Sequence, residues 1–202
     1  MLGCMAAFMM TSCLKDDNSD EKEKEWEEWQ KKVDTERRAM VGDYSGFMYY
    51  NFDITKQQRD SVAMSWSAAS DTTIVFKNVP LQLVVNKMVG NDELKEAIAA
   101  QGTVDIMAMA YVNYQYYSPI QMYLFPDPIV IKDILVGGQK VKVSITFDTY
   151  DTSTGYPSYA KFMMSTGEMV ASLYPKDVYV NNDRKAYFSP LAASMQWYGK
   201  RR

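Results

Sequence analysis

The sequence predicts a mainly β protein, an antiparallel β-sandwich or a lipocalin-like barrel, with one inserted helix and an N-terminal helix that follows a flexible tether. Two observations predict the β body. Apolar and polar side chains alternate, as in Met48, Tyr50, Phe52 and Ile54 against Tyr49, Asn51 and Asp53, so that each run has one buried face. Some nine or ten such runs recur with a turn about every 8 to 12 residues, the spacing of a sandwich or barrel and not of βαβ units. The helices are predicted by a third observation: within the body only 92–101 has helix-forming composition between a capping residue and a glycine, and ahead of it only the charged stretch up to Met40 has apolar residues at helical spacing.

Taken in order, the chain opens with an apolar run from Leu2 to Met10, then Thr11, Ser12 and Cys13, with charge beginning at Lys15, Asp16 and Asp17. This is the layout of a lipoprotein signal: an apolar segment enters the export machinery, small residues expose the bond before Cys13, and the Cys13 thiol takes diacylglycerol. Cys4 is the rival lipidation site, but apolar Met5 follows it where a polar tether is required. No Lys or Arg precedes the apolar run, which leaves open a longer reading frame in which Met1 is internal. The expected organisation is a signal peptide at 1–12, a lipidated tether and charged helix at 13–40, and a β domain at 41–202.

The tether is expected to run from Leu14 to about Glu25, too polar to order itself. Asp20 and Glu23 have capping-pair spacing, and Trp26, Trp29, Val33 and Met40 follow at helical intervals. The stripe they make is narrow. The two tryptophans read either as a recognition patch or as a staple onto the β body. Glu27 with Lys31 and Glu28 with Lys32 add i,i+4 support of a few tenths of a kcal/mol each.

From Gly42 the period is two. A first hairpin is expected between the Met48 run and Val62, Met64, Trp66 and Ala68, followed by a strand at 72–77. Leu81, Leu83, Val84, Val85 and Met88 form an apolar block; Asn91 then caps a helix that Gly102 ends. Further strands are expected at 104–113, 120–125, 129–136, 141–147, 159–165, 169–174, 178–180 and 195–198, with Gly137 and Gly138 forming a tight turn.

Composition narrows the chemistry. A hydrophobic content of 47% and an aromatic content of 13% exceed those of a disordered chain, and a net charge of -3 without a basic cluster argues against nucleic acid as a partner. Of two cysteines one falls in the signal and one takes lipid, so the fold has no disulfide to rely on. His is absent, which removes the commonest general base and metal ligand, and with it any His-activated nucleophile. The expectation is a protein that is not an enzyme, with no cofactor and no metal. Asp105, Asp127 and Asp133 are the carboxylates that glycoside hydrolysis would draw on, and they fall in turns or on exposed strand faces. Asp148, Asp151 and Ser153, and Asn181, Asn182 and Asp183, lack the ligand spacing of a Ca²⁺ loop and read as turns. The feature most open to function is tyrosine density. Tyr114, Tyr116 and Tyr117 are the candidate ligand contacts, the last two in a loop before Ser118; Tyr111 and Tyr123 read rather as packing between strands. Met107, Met109, Met122, Met163 and Met164 read either as core or as the lining of a pocket for an apolar ligand.

The segments GDYSG at 42–46, SWSAASDTTIVFKNVPLQLV at 65–84, DELKEAIAAQ at 92–101, SPIQMYLFP at 118–126, GGQKVKVSITF at 137–147 and DVYVN at 177–181 resemble, in order and spacing, a Bacteroidetes family of uncharacterised lipoproteins built on a domain of unknown function. The resemblance implies a compartment and a fold, and carries no activity. In that lineage Lys15, Asp16 and Asp17 resemble an acidic signal for display on the outer face of the outer membrane. Ser61, between Asp60 and Val62, and Thr72, between Asp71 and Thr73, are similar to three-residue O-glycosylation sites. The expected function is a membrane-anchored envelope lipoprotein that binds glycan, peptide or an envelope protein partner, with a lipocalin-like carrier of a small apolar ligand as the alternative.

Overall fold

The computed structural model describes residues 19–53, 56, 58–88, 90–117, 119–149, 157–187 and 193–202. Among them the chain forms α1 (Ser19–Ala39), β1 (Gly42–Asp53), β2 (Gln58–Ser70), β3 (Thr73–Pro80), α2 (Leu81–Val85), α3 (Asp92–Ala99), β4 (Thr103–Tyr117), β5 (Ile120–Pro126), β6 (Ile129–Val136), β7 (Gln139–Phe147), β8 (Tyr159–Met163), β9 (Glu168–Leu173), β10 (Pro175–Val180), β11 (Asp183–Tyr187) and β12 (Met195–Arg201). Eight antiparallel strands close a barrel in the order β1-β12-β9-β8-β5-β4-β3-β2. Of the two architectures the sequence allows, the barrel is the one that forms.

The alternation of the sequence becomes inside and outside. Tyr44 and Met48 of β1, Trp66 and Ala68 of β2, Phe76 of β3, Leu124 of β5, Phe162 of β8 and Trp197 of β12 all point inward and are buried. Side chains from all eight strands meet in this interior, which is a packed core. The methionines do not form one pocket: Met122 is buried, whereas Met107, Met109 and Met164 are exposed, on outward strand positions or a turn.

Closure depends on one pair of residues. β1 and β12 meet with Gly46 opposite Gly199. A Cβ on Gly46 would lie 2.1 Å from the Tyr198 carbonyl oxygen, and one on Gly199 would lie 2.3 Å from the Ser45 carbonyl oxygen and 2.6 Å from the Trp66 indole. The missing side chains let the two backbones come together beneath Trp66, which in turn stacks on Tyr44 with ring centroids 5.7 Å apart. Tyr44 is fully buried, and its hydroxyl donates to the Met40 carbonyl oxygen.

Both barrel ends are covered. At one, the C-terminal half of α1 is held by buried Val33 and Met40, by Arg37 paired to Asp71 at 3.1 Å in the β2–β3 turn, and by the Arg201 guanidinium donating to the Ala39 carbonyl oxygen. At the other, the hairpins β6–β7 and β10–β11 leave the barrel between β5 and β8 and between β9 and β12. They pair through β7 and β10 into a second sheet, β11-β10-β7-β6. Asp148 ties the two crossings together: its N–H donates to the Tyr174 carbonyl at 2.7 Å, its carbonyl accepts from the Ser158 hydroxyl at 2.6 Å, and its buried carboxylate pairs with Lys176 at 3.1 Å. α2 and α3 fill the corner beside β6 with Val84, Val85, Leu94 and Ile98. The Asn91 side chain caps α3 by accepting from Leu94 N–H at 3.0 Å, as its sequence position requires.

Several expectations are corrected. Residues 19–25, read as tether, are already helical, because Glu and Lys are good helix formers and Asp20 and Glu21 sit at the favourable positive end of the helix dipole. The single inserted helix is two, since the apolar block after Pro80 closes its own turn as α2. Twelve strands form among the described residues where nine or ten were expected; the marked runs account for eleven, and the twelfth, β11, is a polar edge strand, DRKAY, with no alternation to read. Tyr116 and Tyr117 lie within β4 and not in a loop; the strand continues past an irregularity and pairs Tyr117 with Ile120. Trp29 is partly buried against the core, but Trp26 is 53% exposed and stacks on Trp29 at 4.8 Å, so only one of the two acts as a staple. Cys13, Lys15, Asp16 and Asp17 lie outside the described residues.

Two predictions follow from the seam. Gly199→Ala drives a methyl group into backbone and indole at once and is expected to cost about 3 kcal/mol or more, read as a lower urea midpoint. Burial pushes the Tyr44 pKa up from 10.0 to about 12, with the Arg201 guanidinium pulling the other way. The fold therefore favours the neutral phenol, and its contribution is complete below pH 10 and lost as pH rises towards 12. Stability should fall in that window by up to ~1.4 kcal/mol per pH unit more in the parent than in Tyr44→Phe, measured by urea unfolding across the range.

Candidate functional site

The outer wall of the barrel over β4, β5 and β8 carries aromatic, amide and cationic side chains in register. Inward positions of these strands are Val112, Ile120, Met122, Ala160 and Phe162, all buried, so the residues between them face out. Register aligns the outward side chains in rows. Tyr111 of β4 lies opposite Tyr123 of β5, and Tyr123 opposite Tyr159 of β8. One row over, Asn113 lies opposite Gln121, and Gln121 opposite Lys161. An aromatic row thus runs beside a polar row across three strands.

Between these rows is a cleft of about 230 Å³ lined by Asn113, Gln121, Tyr123, Pro157, Tyr159 and Lys161, with part of Met122. Asn113 Nδ2 donates to the Tyr123 hydroxyl at 3.2 Å, which fixes both groups at the rim. The Lys161 ammonium sits 5.6 Å from the centroid of the Tyr159 ring, a cation–π arrangement. Chemically the cleft offers flat apolar faces, two primary amides that both donate and accept, and one cation. Among the described residues no carboxylate lines it.

Tyr111 is 66% exposed, so the packing reading of that residue is replaced by an outward-facing one. With Met107 and Met109 it continues the wall along β4 as an exposed apolar strip. Tyr114, Tyr116 and Tyr117 lie further along the same strand, beyond Asn113, and their side chains lie outside the described residues. Gln121, Tyr159 and Lys161 went unmarked in the sequence, because β8 joins the site through pairing with β5 across an intervening hairpin. The signal that marks β5 is its alternation, which puts Gln121 and Tyr123 on one face.

The remaining candidates scatter. Asp105 accepts from Asn78 N–H at 2.7 Å and holds a β3 irregularity, Asp133 sits at positive φ in a break in the β6–β7 register, and Asp127 is exposed between β5 and β6. No two share a cleft with a water-sized gap between them in the clefts described. Asn181 and Asn182 form the β10–β11 turn with both residues at positive φ, and Asn181 Oδ1 accepts from Lys142 N–H, so the turn reading holds. Asp148 serves the sheet crossing; Asp151 and Ser153 lie outside the described residues. Ser61 is exposed on β2 and Thr72 is exposed in the β2–β3 turn, its hydroxyl 3.3 Å from that of Ser70.

Fold and cleft together define a closed β-barrel protein with a solvent-facing cleft on its wall. Residues 39–180, from the last residue of α1 to the last of β10, match the family described as Domain of unknown function (DUF4840), and the chain belongs to that family. No curated protein and no solved structure matches it.

Proposed function

We propose that this protein is a non-enzymatic binding protein of the cell envelope, held at the membrane by lipid on Cys13, and that the cleft on its wall binds glycan. The observation that carries the binding reading is the pair of rows, tyrosines beside amides. Pyranose rings present a C–H face that stacks on an aromatic ring and a belt of hydroxyls that needs paired donors and acceptors, and one row answers each need. A rigid sheet holds both rows, so little ordering cost is incurred on binding. The anchoring reading rests on the Leu2 to Asp17 pattern. Two or more acyl tails, at about 0.8 kcal/mol per buried CH₂, hold a body of this size to a bilayer durably.

Three expected outcomes test the proposal. On a glycan array the full chain is retained by a defined subset of saccharides, and Tyr123→Ala or Tyr159→Ala weakens that retention by about tenfold, the scale of one lost stacking contact, with the circular dichroism spectrum unchanged. Absence of retention on every glycan, with an envelope protein co-purifying instead, would favour an accessory subunit. In cells, Cys13→Ser is expected to move the protein from the membrane to the soluble fraction while the barrel stays folded. Replacing Lys15, Asp16 and Asp17 by Ala should abolish cleavage by protease added to intact cells if those residues direct surface display. Membrane association of Cys13→Ser equal to that of the parent would overturn the anchor.

A further inference from the structure

We infer that the cleft selects an acidic saccharide, a glycan whose sugar units carry a carboxylate, and that Lys161 is the selecting residue; the inference rests on the glycan reading above. Among the described residues Lys161 is the one charged side chain in the lining, and no Asp or Glu lines the cleft with it. Among the described residues it takes part in no ion pair; its recorded partner is the Tyr159 ring. A lysine whose purpose is solubility extends into water. This one is half-buried, laid over an aromatic face that fixes where its charge stands.

The geometry says what the charge meets. Adjacent strands are about 4.8 Å apart, so the row Asn113, Gln121, Lys161 spans about 10 Å, the reach of two consecutive sugar rings. A glycan lying across the strands rests one ring face on Tyr123, and its next ring meets Lys161 where that side chain lies over Tyr159. Its hydroxyls then fall on Asn113 and Gln121, and the substituent of the ring over β8 falls at Lys161. A single ammonium balances one negative charge. A uronate supplies one, whereas a phosphate monoester brings about -1.5 to -2 at neutral pH and would be left uncompensated. Gln121, directly opposite Lys161 in the register, adds an amide donor to the second carboxylate oxygen. A carboxylate, whose two oxygens reach Lys161 and Gln121 together, is the group we assign to this ligand, a carboxylate-bearing oligosaccharide; a neutral glycan of the same linkage would use the tyrosines and amides but not the lysine.

The test is calorimetric titration of the full chain in detergent with oligomers of galacturonate, glucuronate, mannuronate and guluronate, each beside its carboxyl-reduced neutral counterpart. At least one acidic oligomer is expected to bind roughly tenfold more tightly than its reduced form, the scale of a charge-assisted hydrogen bond. In Lys161→Met, which keeps an unbranched apolar stem over Tyr159, that preference should vanish while affinity for the reduced form stays within about twofold. Equal affinity for acidic and reduced oligomers, or a preference that survives in Lys161→Met, overturns the inference and leaves the general glycan reading standing. No binding of either form, together with no retention on the glycan array, overturns both.

Discussion

The close approach of β1 and β12 at Gly46 and Gly199 is the constraint on which the rest of the structure depends. A sheet of this length left open would expose two edges and the whole of its apolar face. Two glycines facing each other remove the side chains that would hold the edges apart, and the indole of Trp66 covers the gap they leave. Closing the barrel fixes strand tilt and register together, because for a given number of strands the two are linked. The pairings far from the seam, including those that line up Tyr111, Tyr123 and Tyr159, inherit their register from it. The interior is paid for in polarity as well: the indole N–H groups of Trp66 and Trp197 are buried without a hydrogen-bond partner among the described residues, a penalty of about 1–3 kcal/mol each that the surrounding packing offsets.

The second sheet is an outgrowth of the barrel and not a separate domain. Its two hairpins are detours taken by consecutive barrel neighbours, and the buried Asp148 holds both detours where they depart. A carboxylate in such a place is costly unless it is paired, and here Lys176 pairs with it while the Asp148 backbone bonds Tyr174 and Ser158. The helices α2 and α3 then bridge the barrel rim to β6, and Glu93 of α3 accepts from Gly137 N–H at 2.6 Å in the β6–β7 turn. One continuous core results, running from Val33 at one end of the barrel to Val143 and Val178 in the second sheet.

What could be read in advance was whatever is local. Alternation in β1, β2 and β5, the Gly137-Gly138 turn and the Asn91 cap are each written within a few residues, and each forms as its pattern requires. Barrel and sandwich share those patterns, since both bury alternate residues; only the long-range pairing of β1 with β12 separates them, and pairing leaves no local trace. β11 escaped because an edge strand needs charge to resist further pairing, and charge hides its period. The cleft was half legible for the same reason. Tyr123 stood out by type, but Lys161 enters the site across a strand pair whose partners are separated by a whole hairpin, and nothing near Lys161 in the chain announces its neighbours.

The N-terminal helix has a mechanical meaning beyond capping the barrel. Residues 20–28 of α1 are exposed all the way round, while the half from Val33 onwards is clamped. Nine helical residues rise about 13 Å, so the chain leaves the body along a stiff boom and not a loose strap. A strap lets a tethered body present any side to its surroundings. A boom clamped at its base instead gives its outer end a fixed position relative to the barrel wall.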